Sequence, residues 1–281
     1  MSDNALGTVI RLAQEAGEII QKVAADGFDP QRKADNSPVT AADLASEAHI
    51  RAGLTKTFPE DALLCEESGL GGFVGSDRVW VVDPLDGTKA FVKQVPGYSV
   101  MIGLLVRGVP TLGVVFDPLT ETTWYADDTS GAFVIHGIGA TPVPVRVSER
   151  SEVDLMRLIT TPSLKEEKRR FLLQTTGLMQ GPVINSVGIK VGLLVEQEGD
   201  LYFSHHGLSY WDTVAPLAIA HAAGATSSLL DGSPLTYNVY EHDQEKQHSM
   251  PVLISNGRQH NAVRLRLQDA MKHLQQQVSN E

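Results

Sequence analysis

The chain has 281 residues, enough for one large domain or two closely joined ones at roughly 150 residues each. Its 23 Lys and Arg against 34 Asp and Glu give a formal charge of −11. That balance argues against non-specific binding to nucleic-acid polymers or anionic membranes, which both need Lys and Arg as counter-charge. The one cysteine, Cys65, excludes an intramolecular disulfide framework and a multi-cysteine zinc site.

The first predicted element is an amphipathic helix, with Leu6, Val9, Ile10, Ala13, Ala16, Ile20 and Val23 at three- and four-residue spacing. Met1-Ser2-Asp3-Asn4 lacks the basic start of a signal peptide, so a cytoplasmic chain is expected. A polar loop, 26–38, leads to a second helix that begins at Thr40 and ends before Pro59. Thr40-Ala41-Ala42-Asp43 fits a capping box, in which each side chain satisfies an orphan amide. Short apolar strands follow at 62–65 and 79–82, and both run abruptly into carboxylates, Glu66-Glu67 and Asp83. Segments 99–106, 112–116, 122–125, 132–135 and 143–147, joined by short links, read as an antiparallel meander. The apolar run 100–106 stops at Arg107, well short of the roughly 18 residues a membrane span needs.

Beyond about residue 150 the elements alternate. Strands are predicted at 158–161, 183–185 and 201–203, and helices from Ser163, from Ser186 and over 211–223. Strands at 225–229 and 252–255 and a polar helix at 261–277 close the chain. The sequence therefore divides into an α+β part, 1–150, and an α/β part, 151–281. No Ser/Gly-rich linker separates them, so one rigid unit is expected. The glycine-rich stretch 69–75 fits a dinucleotide loop poorly and reads as a mobile loop beside Glu66 and Glu67.

Four segments carry chemistry. In Trp80-Val81-Val82-Asp83-Pro84-Leu85-Asp86-Gly87-Thr88, a buried strand ends in two carboxylates three residues apart on a tight turn. Carboxylates with a carbonyl between them form a hard oxygen cage suited to Mg²⁺. The amides of Gly87 and Thr88, at the start of a short helix, suit a phosphate. The plainer reading is turn capping by Asp83 and Asp86. The spacing differs from the Asp-x-Asp of haloacid-dehalogenase phosphatases, so their nucleophile–acid pairing does not transfer. Cys65-Glu66-Glu67-Ser68 places two adjacent carboxylates after a strand, either around a cation or as a solvated loop. Asp212 in Ser209-Tyr210-Trp211-Asp212-Thr213 opens a helix, where the dipole alone favours it. The fourth segment runs from Lys33 to Asp43, and within it Asp35 reads as a loop residue.

Together these segments resemble the inositol monophosphatase superfamily of Mg²⁺-dependent, lithium-sensitive phosphatases: Glu-Glu, then Asp-Pro-Leu-Asp-Gly-Thr, then Trp-Asp, in that order. A looser likeness continues through Asp231-Gly232-Ser233-Pro234-Leu235 and Ile254-Ser255-Asn256-Gly257. The resemblance implies a layered α/β/α/β/α sandwich of α+β class. It also implies two or three Mg²⁺ ions held by Glu66, Asp83, Asp86, Asp212 and the Leu85 carbonyl. Thr88 and Asp43 would hold the attacking water, a role for Asp43 that competes with its place in the capping box. The small phosphorylated substrate would lie against Gly87, Thr88 and Lys190, and the chain would be a monomer or homodimer.

The run Lys33 to Thr40 is similar to the 3'(2'),5'-bisphosphate nucleotidase (CysQ-like) branch, which implies conversion of adenosine 3',5'-bisphosphate to AMP and phosphate. Lys190 matches a lysine of that branch, although it also reads as a solvated helix lysine. Other features depart from the branch: Ala90 in place of its Glu, no serine pair before Lys190, and no basic residue before Trp211. His205 stands where inositol-specific members carry a glutamate. The alternatives are an inositol monophosphatase or broad sugar-phosphate phosphatase, and a catalytically idle metal-binding regulator. Adjacent strand side chains face opposite ways, so His205 and His206 read as ordinary surface or loop residues. Cys65 reads as a packed strand residue.

Overall fold

The computed structural model describes residues 3–32, 38–241 and 245–279. Helix α1 (Asp3–Asp26) is followed by a two-stranded antiparallel ribbon, β1 (Gln31–Arg32) and β2 (Pro38–Val39), and then by helix α2 (Ala41–Thr57). The next strands are β3 (Ala62–Cys65), β4 (Gly69–Gly72) and β5 (Arg78–Asp86), after which comes the short helix α3 (Thr88–Val92). Strands β6 (Ser99–Val106), β7 (Val109–Asp117), β8 (Thr122–Asp127), β9 (Gly131–His136) and β10 (Val143–Pro144) complete an eight-stranded sheet. Its order is β10-β9-β8-β7-β6-β5-β3-β4, and only β3 and β5 run parallel.

The second half supplies β11 (Arg157–Thr160), α4 (Glu166–Thr176), β12 (Met179–Val183), α5 (Val187–Val195), β13 (Leu201–Phe203), α6 (Val214–Ala222), β14 (Thr226–Leu229), β15 (Val252–Ser255) and α7 (His260–Ser279). These strands form a five-stranded sheet in the order β12-β11-β13-β15-β14. Strand β11 is parallel to both its neighbours, and the other pairs are antiparallel.

Side-chain alternation builds the layers. In β5–β7, Trp80, Val82, Ile102 and Val114 face α1 and α2, where they meet Val9, Leu12, Ile50 and Leu54. Met101 and Val115 point the other way, onto Val187 and Ile189 of α5 and Ala215 and Ile219 of α6. Those two helices also cover Ile159, Tyr202 and Ile254 of the small sheet. The far face of that sheet packs Leu158, Leu201 and Leu253 against Leu172 of α4 and Val263 and Leu267 of α7. The result is the expected α/β/α/β/α sandwich. Its central sheet strands are buried on both faces, which is why they read as continuous apolar runs. Among the described residues, no helix is long and apolar enough to cross a membrane.

Two glycines set how closely α6 lies on the large sheet. A Cβ on Gly103 would stand 2.6 Å from the Ala215 amide nitrogen, and one on Gly113 would stand 2.2 Å from the Ala215 carbonyl oxygen. Backbone atoms cannot step aside as a flexible side chain can. Gly113→Ala is therefore expected to cost about 1–3 kcal/mol or more through overpacking. Thermal unfolding should show it as a Tm lowered by roughly 2–4 °C per kcal/mol. An unchanged Tm would mean that α6 can lift off the sheet freely.

Several sequence expectations need correction: the strand expected over 143–147 is only Val143–Pro144, and the helix expected over 211–223 begins at Val214. The strand expected at 183–185 lies at Met179–Val183, paired in parallel with β11. Gly181 and Pro182 resemble a turn, but β12 is an edge strand, where Pro is tolerated. The helix expected from Ser163 begins at Glu166. The stretch 69–75, expected as a mobile loop beside Glu66 and Glu67, is a strand in its first part: Gly69–Gly72 pairs with β3, from Cys65↔Gly69 to Ala62↔Gly72. Backbone pairing needs no side chains, so a glycine-rich segment can form a strand when a tight turn returns it to its neighbour.

Candidate active site

The site begins where β5 ends. In a regular strand, residues three apart face opposite sides. The pairing of β5 with β6 shifts register between Asp83 and Asp86, and the shift turns both carboxylates the same way. Asp83 Oδ1 accepts from the Leu85 amide at 3.0 Å, which fixes the turn. The chain then reverses through Gly87 at φ +91°, where a Cβ would stand 2.4 Å from the Gly97 carbonyl oxygen. Only glycine fits there, and Thr88 starts α3 directly after it.

Asp212 comes from the other half of the chain, on the turn before α6. Its Oδ2 accepts from the Ser209 amide at 2.8 Å. Carboxylate oxygens of Asp83, Asp86 and Asp212 all lie within 4.8 Å of one another, the one such cluster among the described residues. Glu66 joins them. Its amide donates to the Val82 carbonyl at 3.1 Å, tying the turn after β3 to the end of β5. Its side chain lines the same cleft, of about 230 Å³.

Burial, followed by the charges of Glu66, Asp86 and Asp212, pushes Asp83 well above the ordinary carboxylate range. Burial likewise raises Asp86, and burial with Asp86 and Glu66 pushes Asp212 up to about 8. Such a group cannot be fully ionised without a cation among its members. The donors are all oxygens, and the Leu85 carbonyl is within 3.1 Å of Thr88 Oγ1 at the same turn. This hard donor set fits a divalent cation such as Mg²⁺.

Asp43 closes the capping box and, with its other oxygen, meets Thr88. Its Oδ2 accepts from the Thr40 amide and hydroxyl, each at 2.7 Å, closing the capping box. Its Oδ1 accepts from Thr88 Oγ1 at 3.1 Å. Burial raises the Asp43 pKa, and the Thr40 and Thr88 hydrogen bonds oppose that rise.

Lys190 is no solvated lysine. It is 2% exposed, because α5 lies between the two sheets. Its ammonium donates to the Asn185 carbonyl and sits 5.0 Å above the Tyr202 ring centre. Burial lowers its pKa to about 8, opposed by the nearby charges of Asp86 and Asp212.

His205 and His206 are loop residues, as expected, but not for the expected reason. Strand β13 stops at Phe203, so strand alternation does not govern them, and both line the cleft. Burial, with His206, Lys168 and Lys190 nearby, pulls His205 down to about 4, so its ring is neutral at pH 7. The sequence reading missed Ser186. Its hydroxyl lies 2.6 Å from Asp86 Oδ2, which also accepts from the Gly188 amide at 3.0 Å. Ser186 further caps α5 through the Ile189 amide. A hydroxyl just before a helix is the available signal. Lys33 and Asp35 lie outside the described residues.

The sequence profile of the inositol monophosphatase family matches residues 2–262. The chain belongs to that family. A 3'(2'),5'-bisphosphate nucleotidase CysQ of Escherichia coli strain K12 is 37% identical over 241 residues, covering 84% of this chain and 95% of the relative. A histidinol-phosphatase of Mycobacterium tuberculosis is 33% identical, covering 83% and 90%. Among solved structures, an IMPase of Thermotoga maritima superposes with a TM-score of 0.80 at 23% identity, covering 96% of this chain and 99% of that one. CysQ from Bacteroides thetaiotaomicron gives 0.74 at 27% identity, covering 91% and 98%. This inositol monophosphatase family member is thus a phosphomonoesterase of a metal-dependent class, acting on small phosphorylated substrates.

Proposed function

We propose that the chain is a Mg²⁺-dependent 3'(2'),5'-bisphosphate nucleotidase that converts adenosine 3',5'-bisphosphate to AMP and phosphate. Glu66, Asp83, Asp86, Asp212 and the Leu85 carbonyl are the ligands in this reading. When bound, the cations would lower the pKa of a water molecule and offset the charge of the phosphate. Thr88 donates to Asp43 and so keeps lone pairs free to accept the water's proton, passing its own to Asp43 Oδ1. Backbone amides of Gly87 and Thr88 hold the transferred phosphoryl group. No covalent enzyme intermediate is needed. Cys65, the one thiol, is buried and its pKa is pushed up to about 12, so it is not a nucleophile.

The observation that carries the substrate choice is the buried Lys190 ammonium in the cleft. Lys190, Lys89, His205 and His206 line the wall beyond the carboxylate cluster, and the acidic lining residues all belong to the proposed ligand set. A second phosphate meets a charge-assisted donor there. An inositol ring lacks its carboxylate acceptor, because a neutral imidazole offers one lone pair where a carboxylate offers two oxygens. A cationic leaving group such as histidinol would face Lys190 with no acidic partner of its own. The expected result is a higher kcat/KM for adenosine 3',5'-bisphosphate than for inositol 1-phosphate or histidinol phosphate at matched Mg²⁺, with Lys190→Ala narrowing the gap. The reverse preference would remove the nucleotidase assignment and leave the phosphatase.

A further inference from the structure

We infer that Ser46 and Glu47 are positioning residues of the metal site, acting with Asp43 as one polar face of α2. The inference rests on the proposed ligand set. Ser46 and Glu47 lie three and four residues after Asp43, Ile50 lies four and three residues after them, and Leu54 four after Ile50, so the five form a single buried stripe on the helix. The C-terminal part of that stripe is ordinary core, since Ile50 and Leu54 pack with Trp80 and Val82. The N-terminal part is polar and equally buried: Asp43 and Ser46 are 0% exposed and Glu47 is 4% exposed. Burying a carboxylate and a hydroxyl where aliphatic side chains would pack is costly unless each has a partner.

The partners are three separate turns of the site. Asp43 accepts from Thr88. The Ser46 hydroxyl donates to the Pro84 carbonyl at 2.9 Å, inside the turn between Asp83 and Asp86. Glu47 Oε2 accepts from the Glu67 amide at 2.8 Å, on the turn that presents Glu66. One helical turn further on, Arg51 donates to Ser68 Oγ, holding the other end of that same turn. A single rigid helix therefore sets the spacing between the Glu66 turn, the Asp83–Asp86 turn and Thr88, although none of Ser46, Glu47 or Arg51 lines the cleft. Removing either contact should loosen one ligand turn relative to the others and weaken cation binding.

Mg²⁺ calorimetry on the full chain tests this, together with circular dichroism and thermal unfolding. Ser46→Ala and Glu47→Ala are each expected to raise the Kd for Mg²⁺ by about 10–100-fold, the usual effect of losing an outer partner of a metal ligand. Glu47→Gln should recover most of the affinity, because an amide oxygen still accepts from the Glu67 amide. Ile50→Val, on the same stripe, should lower Tm and leave the Kd unchanged. Asp86→Asn serves as the reference for the ligand set itself. Wild-type affinity in a folded Ser46→Ala or Glu47→Ala protein, with Mg²⁺ binding lost in Asp86→Asn, overturns the positioning role and spares the ligand assignment. Undiminished binding in Asp86→Asn overturns the ligand assignment and the inference with it. If Glu47→Ala fails to fold, Ser46→Ala decides, since it removes only one hydroxyl.

Discussion

Asp86→Asn is expected to abolish phosphate release in Mg²⁺ while preserving the fold. Asp86 Oδ2 accepts from the Ser186 hydroxyl at 2.6 Å and from the Gly188 amide at 3.0 Å. An asparagine can keep both bonds only by turning its oxygen toward α5. Its NH₂ then points at Asp83 and Asp212 as a donor, where a cation would have to sit. The opposite orientation sets an NH₂ against two donors and leaves them unpaired. Outer partners of a ligand typically contribute 10–100-fold, so loss of the ligand itself should exceed about 10²-fold in activity. A purified variant that turns over near the wild-type rate would end the assignment.

The same variant has a stability signature with a definite sign. Asp212 binds its proton more tightly in the folded chain, between an ordinary value of 3.8 and about 8. The unfolded chain therefore holds fewer protons over that range, and metal-free stability falls as pH rises through it. Mg²⁺ should counter the fall by binding only the folded state. Asp86→Asn removes one of the repelling charges. Without metal it should unfold at a higher temperature than the wild type at pH 8, and Mg²⁺ should add little. Melting curves in chelator and in Mg²⁺ would check both halves. A metal-free wild type whose Tm rises from pH 5 to pH 8 would contradict the crowding of these carboxylates.

The sequence revealed most where a signal was local. The Thr40–Asp43 capping box could be read from four consecutive residues, and Glu66, Asp83, Asp86 and Asp212 from motifs at strand and helix ends. Their convergence could not be read this way, because it depends on a register shift in β5 and on how closely α6 lies on Gly103 and Gly113. The errors share a cause. Lys190 reads as solvated if its helix is on the surface, and α5 is instead packed between two sheets. His205 and His206 read as pointing apart if they lie on a strand, and the strand has already ended. Ser46 and Glu47 carry no local signal, because nothing in a single sequence says that their face is turned inward. Each depends on layer order, which periodicity does not encode.

Asp43→Ala should lower kcat by about 10²–10⁴-fold, the range for a positioned general base. That substitution also opens the capping box, so about 1 kcal/mol of stability should go with it. Asp43→Asn separates the two effects. Its carbonyl oxygen can still accept from the Thr40 amide and hydroxyl, which keeps the cap. Its NH₂ then meets Thr88 Oγ1, so the threonine must accept from that side-chain amide instead of donating to a carboxylate. Thr88 loses the outlet for a proton taken from water, and the chain loses the carboxylate that would receive it. Activity should therefore fall nearly as far as in Asp43→Ala, with Tm close to the wild type. The Kd for Mg²⁺ should change far less than in Asp86→Asn, since Asp43 is outside the cluster of Asp83, Asp86 and Asp212 and bonds to Thr88. Calorimetry that finds Mg²⁺ binding lost equally in Asp43→Asn and Asp86→Asn would make Asp43 a ligand. A near-normal kcat in Asp43→Asn would reduce it to a helix cap.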